Sequence, residues 1–346
     1  MTPLRALRSA PAAAPDPMTC LAAGLDFGPG LEVAARSAAS ASKLVVPENQ
    51  DNVVLIDATG HAVCLRGEAP FRTRIAGWPA GHVRLAVLDG MGGHGDGRQA
   101  AEAVASALLD VPACDTLAQL SSRLDALHAT LQARFRQPGD HDHFRRPGTT
   151  LTLLEIAPGL APLLYHVGDS RLYEVTADAA HPLTIDHVPA TGYAMHGMLG
   201  PQEWWQQVHG EHRSQIAQAF ILGNAFANPQ VLDDGLQPLD RHTLPPFLHR
   251  LADRRALRLR PGALYLLATD GLWACGQPLP WTARWPPLLA HHPDGIDAAL
   301  ANLFLTWSGD PPPQLYIDNM SAIAMRFPAE NIDETALLDT NLTTFF

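Results

Sequence analysis

Aspartate residues at the ends of apolar segments are the first sign of chemistry in this sequence. Asp89 follows the apolar residues 85–88, Asp270 follows the apolar residues 263–268, and Asp318 opens the last apolar run. A single aspartate in such a place usually hydrogen-bonds its own backbone and forms a turn. Three of them, on strands that meet along one rim of a sheet, would need a partner for their charge. The pattern therefore predicts a site for a hard cation with oxygen ligands.

The turn that follows Asp89 reads Gly-Met-Gly-Gly-His-Gly over residues 90–95. A glycine directly after the acid allows the backbone carbonyl of Gly90 to approach the same ion as the carboxylate. The turn has neither the lysine of a P-loop nor the glycine spacing of a dinucleotide-binding motif. Taken alone, this segment is equally well explained as a flexible connection between a strand and a helix.

The composition argues against several other classes of function. The 346 residues have a formal net charge of −11, with 24 basic residues against 35 acidic ones. Nucleic-acid binding depends on clustered Lys and Arg, so we expect no nucleic-acid partner. The sequence has no uninterrupted apolar run of about 18 residues, so we expect no membrane span. Its four cysteines contain no CxxC pair, which favours a reduced, cytoplasmic protein over a zinc knuckle or a disulfide framework.

Short apolar runs alternate with turn residues over most of the chain. They predict strands at residues 31–35, 52–56, 83–88, 151–156, 163–167, 172–175, 263–268 and 321–327. The strands at 163–167 and 172–175, joined by the polar residues 168–171, predict a β-hairpin with a tight turn.

Helical spacing of apolar residues appears in three other segments. It predicts one helix around residues 100–108, a second over 117–131 and a third over 296–307. Thr116 and Gln119 have the spacing of a capping box at the start of the second helix. Strands at both ends of the chain with helices between them favour an α+β layered fold over a doubly wound parallel sheet.

The chain has no linker that separates two apolar cores, so we predict one domain over residues 31–328. Residues 1–30 are predicted to form a flexible N-terminal tail, and residues 329–346 a loosely held C-terminal tail.

Seven short motifs follow one another along the chain. They are Asn49-Gln50-Asp51, the Asp-Gly-Met-Gly-Gly-His of residues 89–94, Gly148-Thr149-Thr150, Gly168-Asp169-Ser170-Arg171, Thr184-Ile185-Asp186-His187, Thr269-Asp270-Gly271-Leu272-Trp273 and Asp318-Asn319-Met320-Ser321. Their content and order, from Asn49 to Phe327, resemble the PP2C-type (PPM) family of metal-dependent serine/threonine phosphatases in its bacterial form. The resemblance implies that family's four-layer α-β-β-α sandwich, in which two packed antiparallel sheets are flanked by helices.

The resemblance also implies a metal centre with two Mg²⁺ or Mn²⁺ ions. Asp89 would bridge the two ions, and the carbonyl of Gly90 would bind one of them. Asp270 and Asp318 would complete the ligands of the other ion. Such oxygen-only ligation suits Mg²⁺ and Mn²⁺ better than zinc.

Two further aspartates receive roles from the same resemblance. Asp51 would orient metal-bound water without binding a metal directly, and Asp169 is the candidate ligand of a third ion. The implied reaction is hydrolysis of phosphoserine and phosphothreonine in proteins by a water activated between the two ions. The implied partners are phosphorylated proteins, with a serine/threonine kinase acting in the opposite direction.

His94 is the candidate general acid for the leaving alkoxide, because histidine titrates in the useful range; the alternative is a histidine that only packs against the glycine turn. Family members usually carry a phosphate-binding arginine where this chain has Val46. Lys43 lies nearby in sequence and is the candidate replacement, but its ammonium lacks the bidentate geometry of a guanidinium.

Three other segments attract an interpretation. Residues 191–228 resemble the family's flap beside the active site, and of the neighbouring Trp204 and Trp205 we expect at least one to lie in the core. Residues 238–258, rich in Arg and His, are predicted to be an added, solvated segment. His141-Asp142-His143 has no third ligand nearby and is interpreted as a polar loop rather than a metal site.

Two other functions remain open from the sequence. A phosphatase-like regulatory module with weak or no catalysis is favoured by the missing arginine and opposed by the complete set of aspartates. An unrelated metallohydrolase acting on small phosphoesters would explain the aspartates but not the ordered motifs.

Overall fold

The computed structural model describes residues 19–39, 48–92, 96–136, 146–211, 215–228, 231–290, 292–314, 316 and 318–328. Its strands, in chain order, are β1 (Glu32–Ala38), β2 (Asn52–Ile56), β3 (His61–Arg66), β4 (Ala69–Arg74), β5 (Val83–Leu88), β6 (Gly90–Met91), β7 (Gly148–Thr149), β8 (Leu151–Ile156), β9 (Leu163–Val167), β10 (Arg171–Val175), β11 (Ala180–Pro182), β12 (Gln218–Ala219), β13 (Gly223–Asn224), β14 (Arg254–Ala256), β15 (Leu264–Ala268) and β16 (Met320–Arg326).

The helices are α1 (Asp96–Leu108), α2 (Leu117–Phe135), α3 (Pro189–Met195), α4 (Pro201–Trp205), α5 (Pro278–Thr282), α6 (Trp285–Leu289) and α7 (Gly295–Gly309). A π-helical turn at Gln206–Gly210 and 3-10 turns at Pro246–Leu251 and Asp270–Leu272 supplement them. No described helix is both long enough and apolar enough to cross a membrane.

Two antiparallel sheets pack face to face. The larger has seven strands in the order β14-β9-β8-β5-β2-β3-β4, and the smaller has five in the order β1-β16-β15-β10-β11. Alternate side chains of one strand point to opposite faces, so each buried strand supplies two cores. Val53 and Leu55 pack between the sheets against residues such as Leu267, whereas Val54 and Ile56 face α1 and α2.

The outer face of the smaller sheet packs against α5, α6 and α7 through residues that include Leu266, Trp285 and Leu303. The order of layers is therefore helix, sheet, sheet, helix. This arrangement confirms the predicted α+β fold and its four layers.

The predicted strands are present, and β2, β5, β8 and β9 have the predicted bounds. The three predicted helices correspond to α1, α2 and α7. Thr116 caps α2 as predicted, since its Oγ1 accepts a hydrogen bond from the Gln119 backbone N–H at 3.3 Å. The return bond of the capping box is displaced by one residue, because the Gln119 side chain accepts from the Asp115 N–H instead.

The predicted hairpin of residues 163–175 is wrong. Strand β9 pairs with β8 and β14 in the larger sheet, whereas β10 pairs with β15 and β11 in the smaller one. The chain changes sheets at Gly168, whose φ of +107° is open to glycine, and a Cβ there would lie 2.6 Å from the Thr150 side chain. The tight turn is therefore the place where the chain crosses from one sheet to the other. The pattern of apolar and polar residues is the same for such a crossing and for a hairpin, so the sequence does not distinguish them.

The predicted N-terminal tail of residues 1–30 extends too far. Leu21 is only 1% exposed, packs in the core between the sheets, and donates its backbone N–H to the Ala35 carbonyl at 2.8 Å. Residues 19–30 thus belong to the domain. Residues 1–18 and the predicted tail at 329–346 lie outside the described residues.

Residues 238–258 are also not the solvated segment that their Arg and His content predicts. Leu239, Leu244, Leu248 and Leu251 are buried in one cluster with Phe226. This segment ends in β14, which extends the larger sheet beside β9. The apolar residues decide its position, because four leucines at irregular spacing bury enough surface to hold it on the domain.

A buried ion pair joins the larger sheet to α1. Arg84 on β5 and Glu155 on β8 are both inaccessible to solvent, and Arg84 Nε donates to Glu155 Oε2 at 2.7 Å. The same guanidinium donates to the carbonyls of Leu108 and Val111 at the end of α1. Because β5 leads into Asp89, this pair fixes the helix against the strand that carries the first predicted ligand.

Replacing Glu155 with Gln should destabilise the fold strongly, because Arg84 would remain buried without its counter-charge. We expect a loss of about 3 kcal/mol or more in the free energy of unfolding, measured by denaturant titration. Glu32→Gln is the matched control, since the Glu32–Arg326 pair is partly solvent-exposed and such pairs contribute less than about 1 kcal/mol. Equal losses in the two variants would contradict the anchoring role of Arg84.

Candidate metal centre

Both sheets deliver carboxylates to the same rim of the sandwich. In the larger sheet, Asn52 at the start of β2 pairs with Leu88 at the end of β5, so Asp51 and Asp89 are neighbours. In the smaller sheet, the end of β15 lies beside the start of β16, which brings Asp270 close to Asp318. The antiparallel order of each sheet therefore turns distant sequence positions into adjacent side chains.

Asp169 reaches this rim by a different path. It follows Gly168 in the segment that crosses from the larger sheet to the smaller one, and β10 then pairs with β15 from Arg171 and Ala268 onward. Asp169 is 8% exposed. The five predicted aspartates thus converge, although their sequence positions span most of the domain. Asp51, Asp89, Asp169, Asp270 and Asp318 together are called the carboxylate rim.

The closeness of the carboxylates affects their pKa values. Burial raises the pKa of Asp89 well above its ordinary value, and the charges of Asp51 and Asp318 raise it further. Burial likewise raises the pKa of Asp270, with added repulsion from Asp89 and Asp169. Each group is thus disfavoured as an anion by the others.

The other members of the cluster behave in the same way. The pKa of Asp51 is raised well above its ordinary range by burial, against the hydrogen bond from Thr269. Burial and the neighbouring Asp186 carboxylate raise the pKa of Asp169 to about 7, and burial raises that of Asp318. Without a cation, this rim therefore favours the protonated, neutral form of its carboxyl groups more than water does.

Hydroxyl side chains hold the carboxylate-bearing segments in place. Thr269 Oγ1 donates to Asp51 Oδ2 at 2.8 Å and accepts from the Ser321 N–H at 2.9 Å. Thr150 Oγ1 accepts from the Asp89 N–H at 2.9 Å. Thr269 thus connects the two sheets, because it lies after β15 and its hydroxyl bonds the residue before β2.

Two glycines allow the backbones to approach one another. A Cβ on Gly271 would lie 1.8 Å from the Asn319 carbonyl oxygen, and a Cβ on Gly90 would lie 2.5 Å from the Gln50 carbonyl oxygen. Both distances are far shorter than a van der Waals contact. The Asp-Gly pairs of the sequence are therefore explained by crowding: the acid needs a neighbour without a side chain so that a second segment can reach the same rim.

Arg171 organises the side of the site next to Asp169. Its guanidinium forms a bidentate ion pair with Asp186, with Nη2 to Oδ2 at 2.6 Å, and lies 3.4 Å from the centroid of the Trp273 ring. It also donates to the Val208 carbonyl at 2.7 Å. The arginine of the GDSR motif is thus fully engaged in structure. Its role was not predicted, although its motif was noticed.

A buried imidazole holds the crossing at Gly168. The backbone N–H of His187 donates to the Gly168 carbonyl at 2.8 Å, and the Gly168 backbone N–H donates to the ring Nδ1 of His187 at 3.1 Å. His187 Nε2 lies 3.5 Å from Asp253 Oδ2. Burial lowers the pKa of His187 to about 3, so the ring is neutral. Asp253 was not predicted, since nothing in the segment around it resembles a motif.

The donors at the rim fit hard cations. Asp270 Oδ1 is buried without a hydrogen-bond partner among the described residues, and all the converging side chains offer carboxylate oxygens. No three acidic, histidine or cysteine side chains of the described segments form a ready-made ligand set. Mg²⁺ and Mn²⁺ do not require one, because Mg²⁺ typically keeps several waters and binds one or two carboxylates. Asp89, Asp270, Asp318 and the Gly90 carbonyl suit such partly hydrated ions.

Some predicted residues lie outside the part of the chain that the structure describes. They are Lys43, Val46, His94 and the residues of His141-Asp142-His143. Of the two tryptophans of the flap, Trp204 is 2% exposed and packs with the leucines of residues 238–258. The expectation that at least one of them lies in the core is confirmed.

Comparisons with known proteins find similarity to two bacterial protein phosphatases. The chain is 33% identical over 197 residues to the serine/threonine protein phosphatase PstP of Mycobacterium tuberculosis, a match that covers 56% of this chain and 32% of PstP. It is 28% identical over 134 residues to the protein phosphatase PhpP of Streptococcus pneumoniae, covering 36% of this chain and 51% of PhpP. The matches thus span about a third to a half of these relatives. No family model matches the chain.

The similarity to solved structures covers more of this chain than the similarity to these two relatives. The crystal structure of the Mycobacterium tuberculosis phosphatase PstP/Ppp has a TM-score of 0.52 at 23% identity, covering 86% of this chain and 99% of that one. The PPM Ser-Thr phosphatase MsPP of Mycobacterium smegmatis has a TM-score of 0.53 at 19% identity, covering 87% and 100%. The fold of this chain is that of these solved phosphatases, which is the fold that the motif resemblance implies.

Removing one carboxylate should stabilise the metal-free protein. In EDTA at pH 8 we expect Asp318→Asn to raise the melting temperature by at least about 2 °C, equivalent to about 1 kcal/mol in a domain of this size, because one repelling charge is lost. Mn²⁺ should then raise the melting temperature of the wild type more than that of the variant. Asp178→Asn, at an exposed turn, controls for the change in net charge.

The sign of the pH dependence follows from the raised pKa values. The folded-state pKa of Asp169, about 7, exceeds its ordinary value of 3.8, so the folded state binds more protons than the unfolded state. Its contribution to stability is complete below pH 3.8 and is lost as the pH rises through 7. The advantage of Asp318→Asn in EDTA should therefore shrink at acidic pH. An advantage that persists or grows there would contradict the repulsion.

Proposed function

We propose that this chain hydrolyses phosphoserine and phosphothreonine in proteins with the help of two divalent cations, Mg²⁺ or Mn²⁺. The observation that carries the proposal is the cluster of buried and partly buried, mutually repelling carboxylates at the rim of a PPM-type sandwich. Burial of several carboxylates together is unfavourable unless a cation compensates for it. Selection for function explains such a cluster, since the fold alone gains nothing from it.

Each residue of the cluster has a part in the proposal. Asp89 would hold both ions, the carbonyl of Gly90 would hold one of them, and Asp270 and Asp318 would hold the other. The structure of the PstP catalytic domain in complex with two manganese ions, which has a TM-score of 0.51 at 22% identity and covers 86% of this chain and 99% of that one, supports two ions. When bound, such ions supply an activated water and neutralise the phosphoryl oxygens.

The remaining residues position what the ions act on. Asp51, whose Oδ2 accepts the Thr269 hydroxyl, is the group that orients water and accepts its hydrogen bonds. Asp169 is the candidate ligand of a third ion. His94 is the candidate donor of a proton to the leaving alkoxide, and Lys43 is the candidate for binding a phosphoryl oxygen. Arg171 does not fill that last role, because Asp186 and a backbone carbonyl occupy its guanidinium.

We further propose that the substrates are phosphoproteins and that a serine/threonine kinase acts opposite to this chain. The names of PstP and PhpP as protein phosphatases support a protein substrate. The alternative, a regulatory module of weak or no catalysis, keeps its support from the missing arginine but is opposed by the five aspartates at the rim. It predicts cation binding without turnover, which an assay distinguishes.

Asp89→Asn should reduce kcat on a phosphothreonine peptide with Mn²⁺ by more than about 100-fold, beyond the effect typical of residues that only support a metal ligand. EDTA should abolish wild-type turnover, and added Mn²⁺ should restore it. Asp178→Asn should keep wild-type activity. Turnover that survives full chelation would exclude the metal mechanism, and a wild type that binds Mn²⁺ without turnover would favour the regulatory module.

A further inference from the structure

Two large apolar side chains lie exposed beside the carboxylate rim. Tyr193, near the end of α3, is 41% exposed, and Met198, in the turn that follows, is 61% exposed. They are joined locally, since the Met198 N–H donates to the Tyr193 carbonyl at 2.9 Å. Exposed large apolar residues that adjoin one another are more informative than scattered ones, because they often mark a binding surface.

Both side chains line one cavity of about 230 Å³, whose other walls include Ile216, Ala217 and Phe226. The described residues that line it include no Asp, Glu, Lys or Arg. Its one histidine, His196, uses Nδ1 in a hydrogen bond to the Gly192 carbonyl at 2.8 Å. The cavity is therefore apolar, and its size suits a single large side chain better than an extended ligand.

Tyr193 also lines a second cavity, of about 110 Å³, on its other side. That cavity is bounded by Asp169, Arg171 and Asp186 and is therefore part of the carboxylate rim. Tyr193 and Pro189 belong to both linings. A bound peptide that crosses the Tyr193 ring would thus have one residue at the rim and the side chain of a nearby residue in the apolar cavity.

The apolar cavity is fixed relative to the rim. The Phe226 ring packs against Gly192, where a Cβ would lie 3.2 Å from the ring. It also contacts the His187 ring edge to face, with centroids 6.0 Å apart. His187 in turn exchanges two hydrogen bonds with Gly168, the residue before Asp169. Phe226 in the floor of the cavity and the segment that carries Asp169 are therefore both held in place by His187.

We propose that this apolar cavity is a specificity subsite that binds an aliphatic or aromatic side chain of the phosphoprotein, a few residues from the phosphorylated one. The subsite rests on the proposed phosphatase function, and it adds a sequence preference to it. Tyr193 and Met198 are the residues that determine this preference. A single methylene group more or less in a hydrophobic pocket is worth about 10–200-fold in discrimination, so a leucine side chain in this cavity should have a measurable effect.

The test uses phosphothreonine peptides of otherwise alanine sequence in which a single leucine is moved position by position along both sides of the phosphothreonine. With wild type and Mn²⁺, we expect one position to raise kcat/KM at least about tenfold over the all-alanine peptide, mainly through a lower KM. Tyr193→Ser and Met198→Ser should each lose most of this preference. The kcat/KM of Met198→Ser, whose side chain lines only the apolar cavity, should stay within about twofold of wild type on the all-alanine peptide.

Two controls separate the subsite from other effects. Tyr193→Phe keeps the ring and should keep the preference. Leu160→Ser removes another exposed apolar side chain, 49% exposed in the turn between β8 and β9, and should have no effect. A wild type that treats all positions alike, or a preference that survives the double change at Tyr193 and Met198, would overturn the proposal.

Binding of the same peptides, measured by fluorescence anisotropy, distinguishes failure of the subsite from failure of the proposed function. A wild type without turnover that still binds one leucine peptide more tightly than the all-alanine peptide would support the subsite and contradict the phosphatase. Turnover without any leucine preference in either rate or binding would support the phosphatase and contradict the subsite.

Discussion

Repulsion among buried and partly buried carboxylates is the constraint on which this molecule depends. Two sheets, each with its own helical layer, place their aspartates at a shared rim, where desolvation raises the pKa of each carboxyl group and neighbouring charges raise the pKa values of Asp89 and Asp270 further. Such an arrangement is unfavourable for an isolated fold. The large hydrophobic core between and outside the sheets provides the stability that allows it, so the core and the rim have opposite effects on the free energy of folding.

The same constraint explains the residues around the carboxylates. Gly90 and Gly271 are small because two backbones must approach closely on either side of the acids. Thr269 and Thr150 use their hydroxyls to hold backbone and carboxylate groups of neighbouring segments. Arg171 neutralises the charge of Asp186 at the edge of the cluster. The Asp186 carboxylate therefore has its counter-charge within the protein, whereas the rim carboxylates are left for cations. Each of these residues beside the rim is therefore fixed by close backbone packing, by a hydrogen bond or by an ion pair.

Much of this could be predicted from the sequence, and the failures have identifiable physical causes. Strand ends that carry Asp-Gly were recognisable because apolar runs and glycines are local signals, and so was the cap at Thr116. The crossing at Gly168 was mistaken for a hairpin because two strands joined by a short polar turn look alike whether they pair or separate. Asp253 and the buried leucines of residues 238–258 were missed because their importance comes from tertiary contacts with His187 and with residues 191–228.

The position of β16 has a consequence for the order of assembly. This strand lies between β1 and β15 in the smaller sheet, so one of its neighbours comes from near the start of the domain and the other from much later. The smaller sheet cannot close until residues 318–326 have been synthesised, and contacts between such distant segments form slowly. Asp318 arrives with this strand. A growing chain therefore exposes its first four rim aspartates to solvent and cations well before the fifth completes the set.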